Sequence, residues 1–162
     1  MKSWVERPIE IRNLFNPAFC GVLLARAIKA FEVEDERGMP FSLTLLVLPL
    51  VLHRPSRQVI CLSNRAYFLK VVEENPELIV GFGERARSYL PYALEAFGML
   101  MHMGCILVTD DGRIKLVPRR VSTKELESSE CKECEQTAKR LGREFARLRD
   151  RVTIYTMLGV KP

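Results

Sequence analysis

The sequence predicts a mainly α-helical α+β fold, in which a compact helical domain carries a small β-hairpin. Three observations predict it. Prolines stand at the starts of apolar stretches, an Asp-Gly pair separates two β-like runs, and residues 122–148 return to a helical pattern. The length of 162 residues fits one domain, or two small ones that share a core. We expect one domain over 1–162, divided into a helical core (7–104), a hairpin (105–118) and C-terminal helices (122–162).

The composition is that of a globular protein, with 48% hydrophobic and 28% charged residues. No stretch reaches the roughly 18–20 continuous apolar residues of a membrane span. The start of the chain, MKSWVERPIE, lacks the apolar segment of a signal peptide. Five cysteines, unevenly spread, do not form the pattern of a secreted disulfide framework. We therefore expect a cytoplasmic protein with reduced thiols and no contact with a membrane.

The charges of the C-terminal third are segregated by sign, although the formal net charge is only +5. Residues 113–124 carry five basic side chains and no acidic one. Residues 125–135 carry five glutamates and one lysine, and residues 139–151 carry six basic and two acidic side chains. The location of the positive charge is therefore more informative than its sum.

The first long helix is expected to begin at Asn16 and Pro17. Asparagine accepts hydrogen bonds from the free amides of a helix start, and proline suits the first helical position. Apolar residues then fill most positions of 19–33, which predicts a helix buried on most of its circumference. The polar exceptions form a narrow stripe of Arg26, Lys29 and Glu32. Residues 34–40 are expected to form a polar loop.

The stretch LTLLVLPLVLHRPSR, residues 43–57, is the most unusual of the chain, because its first ten residues include only one polar side chain. It is too short to span a membrane. A buried strand is the alternative, but Pro49 lacks the N–H group that a sheet requires, and leucine favours a helix. We therefore predict a buried helix that bends at Pro49.

Prolines also define the expected ends of this bent helix. Pro40 would start it, and Pro55 would stop it. His53 and Arg54 would then lie in the last turn, where positive charge complements the helix dipole. Residues 56–62 are expected to form a connector.

Three short helices are expected between residues 63 and 104. Ser63 and Asn64 would cap the first, and Pro76 and Pro91 would start the second and the third. Gly104 would end the third in a left-handed conformation.

The remaining pattern predicts a hairpin at Asp111-Gly112 and then a helix over 122–148. Ser122 or Thr123 would cap this helix, which has few apolar positions and therefore one exposed face. A last short turn would follow, and its apolar tail would dock in the chain's own core or on a partner. Three helices followed by a hairpin is the order of a winged helix, which is an analogy of topology.

Four residues could formally bind zinc in the pattern H-x2-C…C-x2-C, namely His102, Cys105, Cys131 and Cys134. However, Cys131 and Cys134 fall within a predicted helix, and Cys105 begins a predicted strand. We therefore interpret them as incidental thiols, and a zinc-dependent enzyme is the weakest hypothesis.

Catalytic candidates are few, because the chain has only two histidines. His53 lies at a predicted helix end and His102 lies among apolar residues, so a structural role suits each of them. Turn chemistry explains the pair Asp110-Asp111. No phosphate-binding loop motif occurs, so we expect neither an ATPase nor any other enzyme, and no cofactor.

Basic residues in and after the hairpin are the candidates for contact with nucleic acid. Lysine and arginine there could bind phosphates without regard to sequence. The alternatives are a solvated positive face or a surface that meets an acidic protein. The candidates are Arg113, Lys115, Arg119, Arg120 and Lys124.

Four segments in order resemble the middle component of bacterial three-component ABC systems. They are RPIEIRNLFNPAFCGVLLARAI (7–28), MPFSLTLLVLPLVLHRPSR (39–57), NPELIVGFGERARSYLPYALEA (75–96) and TIYTMLGVKP (153–162). The most specific parts are N-P-A-F-C-G, L-P-L-V-L-H-R-P and Y-x-x-L-G-V-K-P. Residues 122–150 fit this pattern least clearly.

The resemblance implies a role in anti-phage or anti-plasmid defence, similar to systems of the Lamassu type. Such operons are expected to encode an SMC-like ABC ATPase, this middle component and an effector that is often a nuclease. The middle component would be a non-catalytic adaptor that joins the ATPase to the effector or to DNA. A stand-alone winged-helix DNA-binding regulator is the alternative. Candidate partner contacts are His53, Arg54, Ile154, Tyr155 and Leu158.

Overall fold

The computed structural model describes residues 4–63 and 66–161. These residues form helices and one small antiparallel sheet, which confirms the predicted mainly α-helical α+β class. Two short 3-10 helices lie at Trp4–Glu6 and Pro76–Leu78. The α-helices are α1 (Ile9–Leu14), α2 (Pro17–Glu34), α3 (Phe41–Thr44), α4 (Val47–Val51), α5 (Arg54–Leu62), α6 (Phe68–Glu74), α7 (Phe82–His102), α8 (Ser129–Leu148) and α9 (Arg151–Met157). The strands are β1 (Met39–Pro40), β2 (Ile106–Val108) and β3 (Arg113–Leu116).

The helix α2 is the centre of the fold and begins as predicted. The side chain of Asn16 accepts hydrogen bonds from the amides of Ala18 and Phe19, and Pro17 occupies the first helical position. The helices α7 and α8, the sheet and α4 all pack against α2. By length and composition alone, the stretch Ile9–Glu34 could cross a membrane, and 61% of its apolar window is buried inside the fold.

The helices α2 and α8 cross closely because Gly142 has no side chain. A Cβ atom at this position would overlap the carbonyl oxygen of Ala27 in α2. Leu141 and Phe145, on either side of this contact in α8, are fully buried. Small side chains and even Glu135 add to the packed face of α8. Its other face is exposed, as predicted, at Lys132, Gln136 and Arg143.

The apolar stretch 43–57 is helical, but its bend is not at Pro49. The helix α3 ends at Thr44 and α4 begins at Val47, so Pro49 lies in the first turn of α4. Backbone N–H groups of a first turn have no acceptor within the helix, so the N–H that proline lacks costs no hydrogen bond there. The chain bends by 97° between α4 and α5. The break between α3 and α4 lies about one turn before Pro49, because in a continuous helix the proline ring would clash with the carbonyl group four residues before it.

His53, Arg54 and Pro55 begin a helix rather than end one. His53 occupies the N-cap position of α5, and Pro55 lies in its first turn. The predicted connector 56–62 is therefore helical. Pro55 explains both the end of α4 and the start of α5. Its fixed φ favours the first turn of a helix, and a preceding helix cannot continue past a proline.

The helix α6 begins at Phe68, not at the predicted caps. Ser63 ends α5, and Asn64 lies outside the described residues. The amide of Phe68 donates a hydrogen bond of 2.9 Å to Oε2 of Glu144 in α8. A carboxylate distant in sequence therefore accepts from the helix start, which no local pattern could indicate.

The helix α7 is one continuous helix of 21 residues that contains Pro91. Pro91 and Arg87 are both exposed, so water can hydrate the Arg87 carbonyl that receives no hydrogen bond from proline. Pro76 begins only a 3-10 turn. Gly104 follows α7 with a φ of +63°, as predicted, and the amide of Cys105 bonds to the carbonyl of Leu100.

The predicted hairpin is present and pairs with a third strand. Val108 of β2 lies opposite Ile114 of β3, with Gly112 at a φ of +74° in the turn. Met39 of β1 pairs with Ile114 on the other side, so the strand order is β1-β3-β2. The segment 34–40 was predicted as a polar loop, but it ends in this strand. The winged-helix analogy stays a prediction.

The helices of the C-terminal third begin later than predicted. Ser128, rather than Ser122 or Thr123, caps α8 by accepting from the amide of Cys131. Asp150 caps α9 by accepting from the amides of Val152 and Thr153. Residues 122–127 are irregular, because other parts of the chain bind their backbone, as described below.

The crossing of α2 and α8 gives the first testable prediction. We expect Gly142→Ala to lower the free energy of unfolding by about 3 kcal/mol, because the added methyl group overlaps rigid backbone. Gly98→Ala is the matched control, since Gly98 lies within α7 and a Cβ there meets open space. Gly98→Ala should raise the free energy of unfolding by about 0.5–1 kcal/mol. Urea unfolding followed by circular dichroism measures both, and equal effects would contradict the prediction.

Candidate nucleic-acid and partner interface

A groove of about 450 Å³ lies between α2 and the chain that follows β3. It brings two of the predicted basic residues, Lys115 and Arg119, together with Lys29 of α2. Leu116 and Val117 contribute apolar surface to the same groove. We name this feature the basic groove.

Four cations line the basic groove, and Arg26 is paired with Glu135. The other three have no ion pair or side-chain hydrogen bond within residues 4–63 and 66–161. Glu32 and Glu36 also line the groove, so its unpaired positive charge exceeds its negative charge by only one.

The strand β3 determines which way the basic side chains point. Ile114 is buried, so the side chain of Lys115 lies on the opposite face of the sheet. The amide of Leu116 donates a hydrogen bond of 2.9 Å to Oε1 of Glu32, which attaches the end of β3 to α2. Arg119 then adopts a φ of +63°, a conformation that residues with a Cβ atom seldom adopt.

Arg113 is not part of the basic groove. Its Nε donates to Asp111 at 2.9 Å, and its guanidinium lies 3.7 Å from Asp35 and donates to the carbonyl of Gly38. The charge of Arg113 is therefore neutralised within the turn. Arg120 is exposed, and Lys124 forms an exposed ion pair with Glu127 at 3.3 Å. The five predicted residues thus divide into groups with different roles.

A buried ion pair supports the segment beside the groove. Nε of Arg26 donates to Glu135 at 2.8 Å, and its other nitrogens donate to the carbonyls of Ser122 and Lys124. Glu135 also accepts from Lys139 and from the amide of Leu126. Burial acts to raise the pKa of Glu135, but these hydrogen bonds outweigh it and the pKa lies below its usual value. The irregular conformation of 122–127 follows from these contacts.

The two histidines occupy different surroundings. Nδ1 of His53 lies 2.8 Å from Oγ of Ser56, and burial together with the charge of Arg85 lowers its pKa. Ser56 is only 2% exposed, so its hydroxyl group is closed to a substrate. Arg54 is exposed, and His102 lies exposed at the end of α7.

The cysteines of the formal zinc pattern, which we interpreted as incidental thiols, lie in two places. Cys131 and Cys134 lie in α8, and Cys105 lies just before β2. Cys134 is buried in α8 with its thiol directed at the carbonyl of Val51, and burial raises its pKa to about 11. Cys105 is buried at the start of β2, where its thiol contacts the carbonyl of Arg120. In the part of the chain that the structure describes, no three His, Cys, Asp or Glu side chains are grouped to hold a metal ion.

The apolar tail lies in the core of its own chain. Ile154 and Leu158 are fully buried, and the hydroxyl group of Tyr155 donates to the carbonyl of Ser42 at 2.8 Å. The tail was expected to dock either in the chain's own core or on a partner, and in the structure it docks in the chain's own core. These three side chains thus hold α9 against α3 and the core.

An exposed apolar surface lies instead on α7. Leu90, Leu94 and Met101 are 37%, 47% and 56% exposed, and their spacings of four and seven residues place them on one side of the helix. We name these three residues the apolar face of α7. The sequence did not predict this surface, because α7 also carries apolar residues on its buried side. The spacing of Leu90, Leu94 and Met101 was the one signal that could have indicated a separate apolar face.

The chain matches the family model of the ABC-three component (ABC-3C) system Middle Component 3 over residues 4–162. No curated protein and no solved structure matches the chain.

The second testable prediction concerns Asp35, which joins the end of α2 to the hairpin turn. A hydrogen bond from Arg37, with help from Arg113, lowers its pKa to about 2. A depressed pKa stabilises the fold above the ordinary value near 4, and this stabilisation is lost as the pH falls toward 2. We expect Asp35→Asn to lower the free energy of unfolding at pH 7 by about 1 kcal/mol.

The difference between Asp35→Asn and the wild type should shrink as the pH falls, in urea unfolding at several pH values. Asp110→Asn is the control. Asp110 is exposed in the turn between β2 and β3 and forms no side-chain hydrogen bond in the described chain. A difference that is the same at pH 7 and at pH 3 would contradict the assignment.

Proposed function

The chain belongs to the Middle Component 3 family of ABC-three component systems, and from this premise we propose that it is a non-catalytic adaptor. It would join an SMC-like ABC ATPase to an effector, often a nuclease, or to DNA in a bacterial defence complex. The family match over residues 4–162 carries the proposal, because a middle component acts together with the other components of its system.

The surfaces of the molecule support an adaptor. Leu90, Leu94 and Met101 are large apolar side chains exposed along one helix, a feature typical of protein–protein interfaces. His53 and Ser56 are paired as a histidine and a serine could be in a catalytic site, but the burial of Ser56 favours a structural role for both. The apolar face of α7 would dock another component of the system.

The basic groove would contact the phosphates of DNA in the same complex. Lys29, Lys115 and Arg119 have no ion pair among the described residues and lie around one concave surface, which Glu32 and Glu36 also line. Contacts of lysine and arginine with phosphates are independent of sequence. Three phosphate contacts correspond to a slope of about −3 in a plot of log affinity against log salt concentration.

A stand-alone winged-helix regulator is the second candidate, and the strand order β1-β3-β2 beside the basic groove favours it. A regulator would bind one DNA sequence tightly without partners. An adaptor would bind DNA weakly and without sequence preference.

We propose a cytoplasmic location as well. The five cysteines form no disulfide bond, which suits a reducing compartment.

The third testable prediction concerns partner binding. We expect the chain to co-purify with the ATPase or the effector encoded in its own operon. Leu94→Asp should weaken this complex at least about tenfold, because a charge on the apolar face would be buried without a partner. Val152→Asp is the matched control, since Val152 is 50% exposed but lies on α9.

Affinity pull-down and titration calorimetry with the purified components measure the effect on the complex. Circular dichroism confirms that both variants fold. Failure to bind either component would refute the adaptor, and equal loss of binding in both variants would refute the role of α7.

The fourth prediction concerns DNA. The double variant Lys115→Glu with Arg119→Glu should lose affinity for double-stranded DNA and lower the salt slope by about 2. The control, Lys70→Glu with Arg87→Glu, changes the net charge equally at exposed positions outside the groove. Fluorescence anisotropy with two unrelated DNA sequences measures both affinity and specificity. Tight binding to only one sequence would favour the regulator, and equal losses in both double variants would contradict the groove.

A further inference from the structure

A second cavity, of about 570 Å³, lies where the hairpin turn meets the junction of α8 and α9. Asp111 and Arg113 line it from the hairpin, Phe41 and Ser42 from α3, and Arg149 and Arg151 from the junction. The volume is in the range of cavities that hold small organic ligands. It is lined by the start of β3, whereas the basic groove is lined by its end.

The carboxylates around this cavity already have partners. Asp35 binds Arg37 with two hydrogen bonds, of 2.9 and 2.7 Å. Asp111 accepts from Thr109 at 2.5 Å and from Arg113 at 2.9 Å. Asp150 caps α9 by accepting from two backbone amides and from the hydroxyl group of Thr153. Their negative charges are therefore compensated by groups of the protein.

Two arginines of the cavity have no such partners. Arg149 and Arg151 form no ion pair and no side-chain hydrogen bond with any part of the chain that the structure describes. Arg149 ends α8 with a φ of +56°, at a position where glycine is the usual residue. An arginine here adopts an unfavourable backbone conformation, and it lines the same cavity as Arg151.

An aromatic side chain completes the cavity. The ring of Phe41 lines the same cavity and is 36% exposed. An aromatic ring with an open face can stack on a nucleic acid base.

We propose that this cavity binds a nucleoside phosphate. Arg149 and Arg151 would bind its phosphate group, because guanidinium groups donate paired hydrogen bonds to phosphate oxygens. The base would lie against Phe41. The cavity is larger than a phosphate ion requires, which favours a ligand that carries a base. This site goes beyond the adaptor function and does not depend on it.

The test is titration calorimetry of the full chain with AMP, GMP, CMP, UMP and inorganic phosphate. We expect saturable binding of at least one nucleotide, tighter than that of phosphate. Arg149→Gly and Arg151→Ala should each weaken it at least about tenfold. Arg149→Gly is an informative change, because glycine tolerates the positive φ and the variant should fold at least as well as the wild type.

The matched control is Arg119→Gly, which removes the other unpaired arginine with a positive φ, in the basic groove. It should leave nucleotide affinity within about twofold of the wild type and weaken DNA binding instead. Absence of saturable binding by all four nucleotides would overturn the site. So would binding that survives both Arg149→Gly and Arg151→Ala, or phosphate binding as tight as that of every nucleotide. Partner binding, measured by pull-down, is expected to persist in Arg149→Gly, so the site and the adaptor can fail separately.

Discussion

The buried contact between Arg26 of α2 and Glu135 of α8 is the constraint on which the rest of the structure depends. The two helices approach so closely at Gly142 that their relative position allows little adjustment. A buried ion pair adds little net stability compared with apolar groups of the same size, but it is costly to break. Its role here is to fix the position of α8 along α2 and, through the carbonyls of Ser122 and Lys124, the path of the chain between sheet and helix.

Other arginines repeat this pattern at several breaks between the helices. Arg57 donates to the carbonyl of Val51, where the chain bends between α4 and α5. Arg140 of α8 donates to the carbonyls of Ile60, Ser63 and Ala66, where α5 ends and α6 has not yet begun. Arg85 donates to the carbonyls of Pro49 and Leu78. Short helices separated by prolines leave many carbonyl groups without a helical partner, and guanidinium groups satisfy several at once.

Signals confined to a few neighbouring residues were predictable from the sequence. Asn16 with Pro17, Gly104 and the turn at Asp111-Gly112 behave as predicted, because their hydrogen bonds close within a few residues. The errors occur where a distant residue completes the local structure. Glu144 accepts the first amide of α6, and Arg26 binds the carbonyls of 122–124, so that the expected helix cannot begin there. The third strand was missed because two residues carry no periodicity.

The candidate sites show the same limit. The sequence identified a basic region, but it could not separate arginines that bind the protein itself from those that face outward. Arg113 lies within the predicted basic set and is neutralised by Asp111 and Asp35, whereas Lys29 was predicted only as part of a polar stripe and faces the groove. Positive charge in this chain therefore has two uses. One class of cations satisfies carbonyls and carboxylates inside the fold, and only the remaining class can bind an external anion.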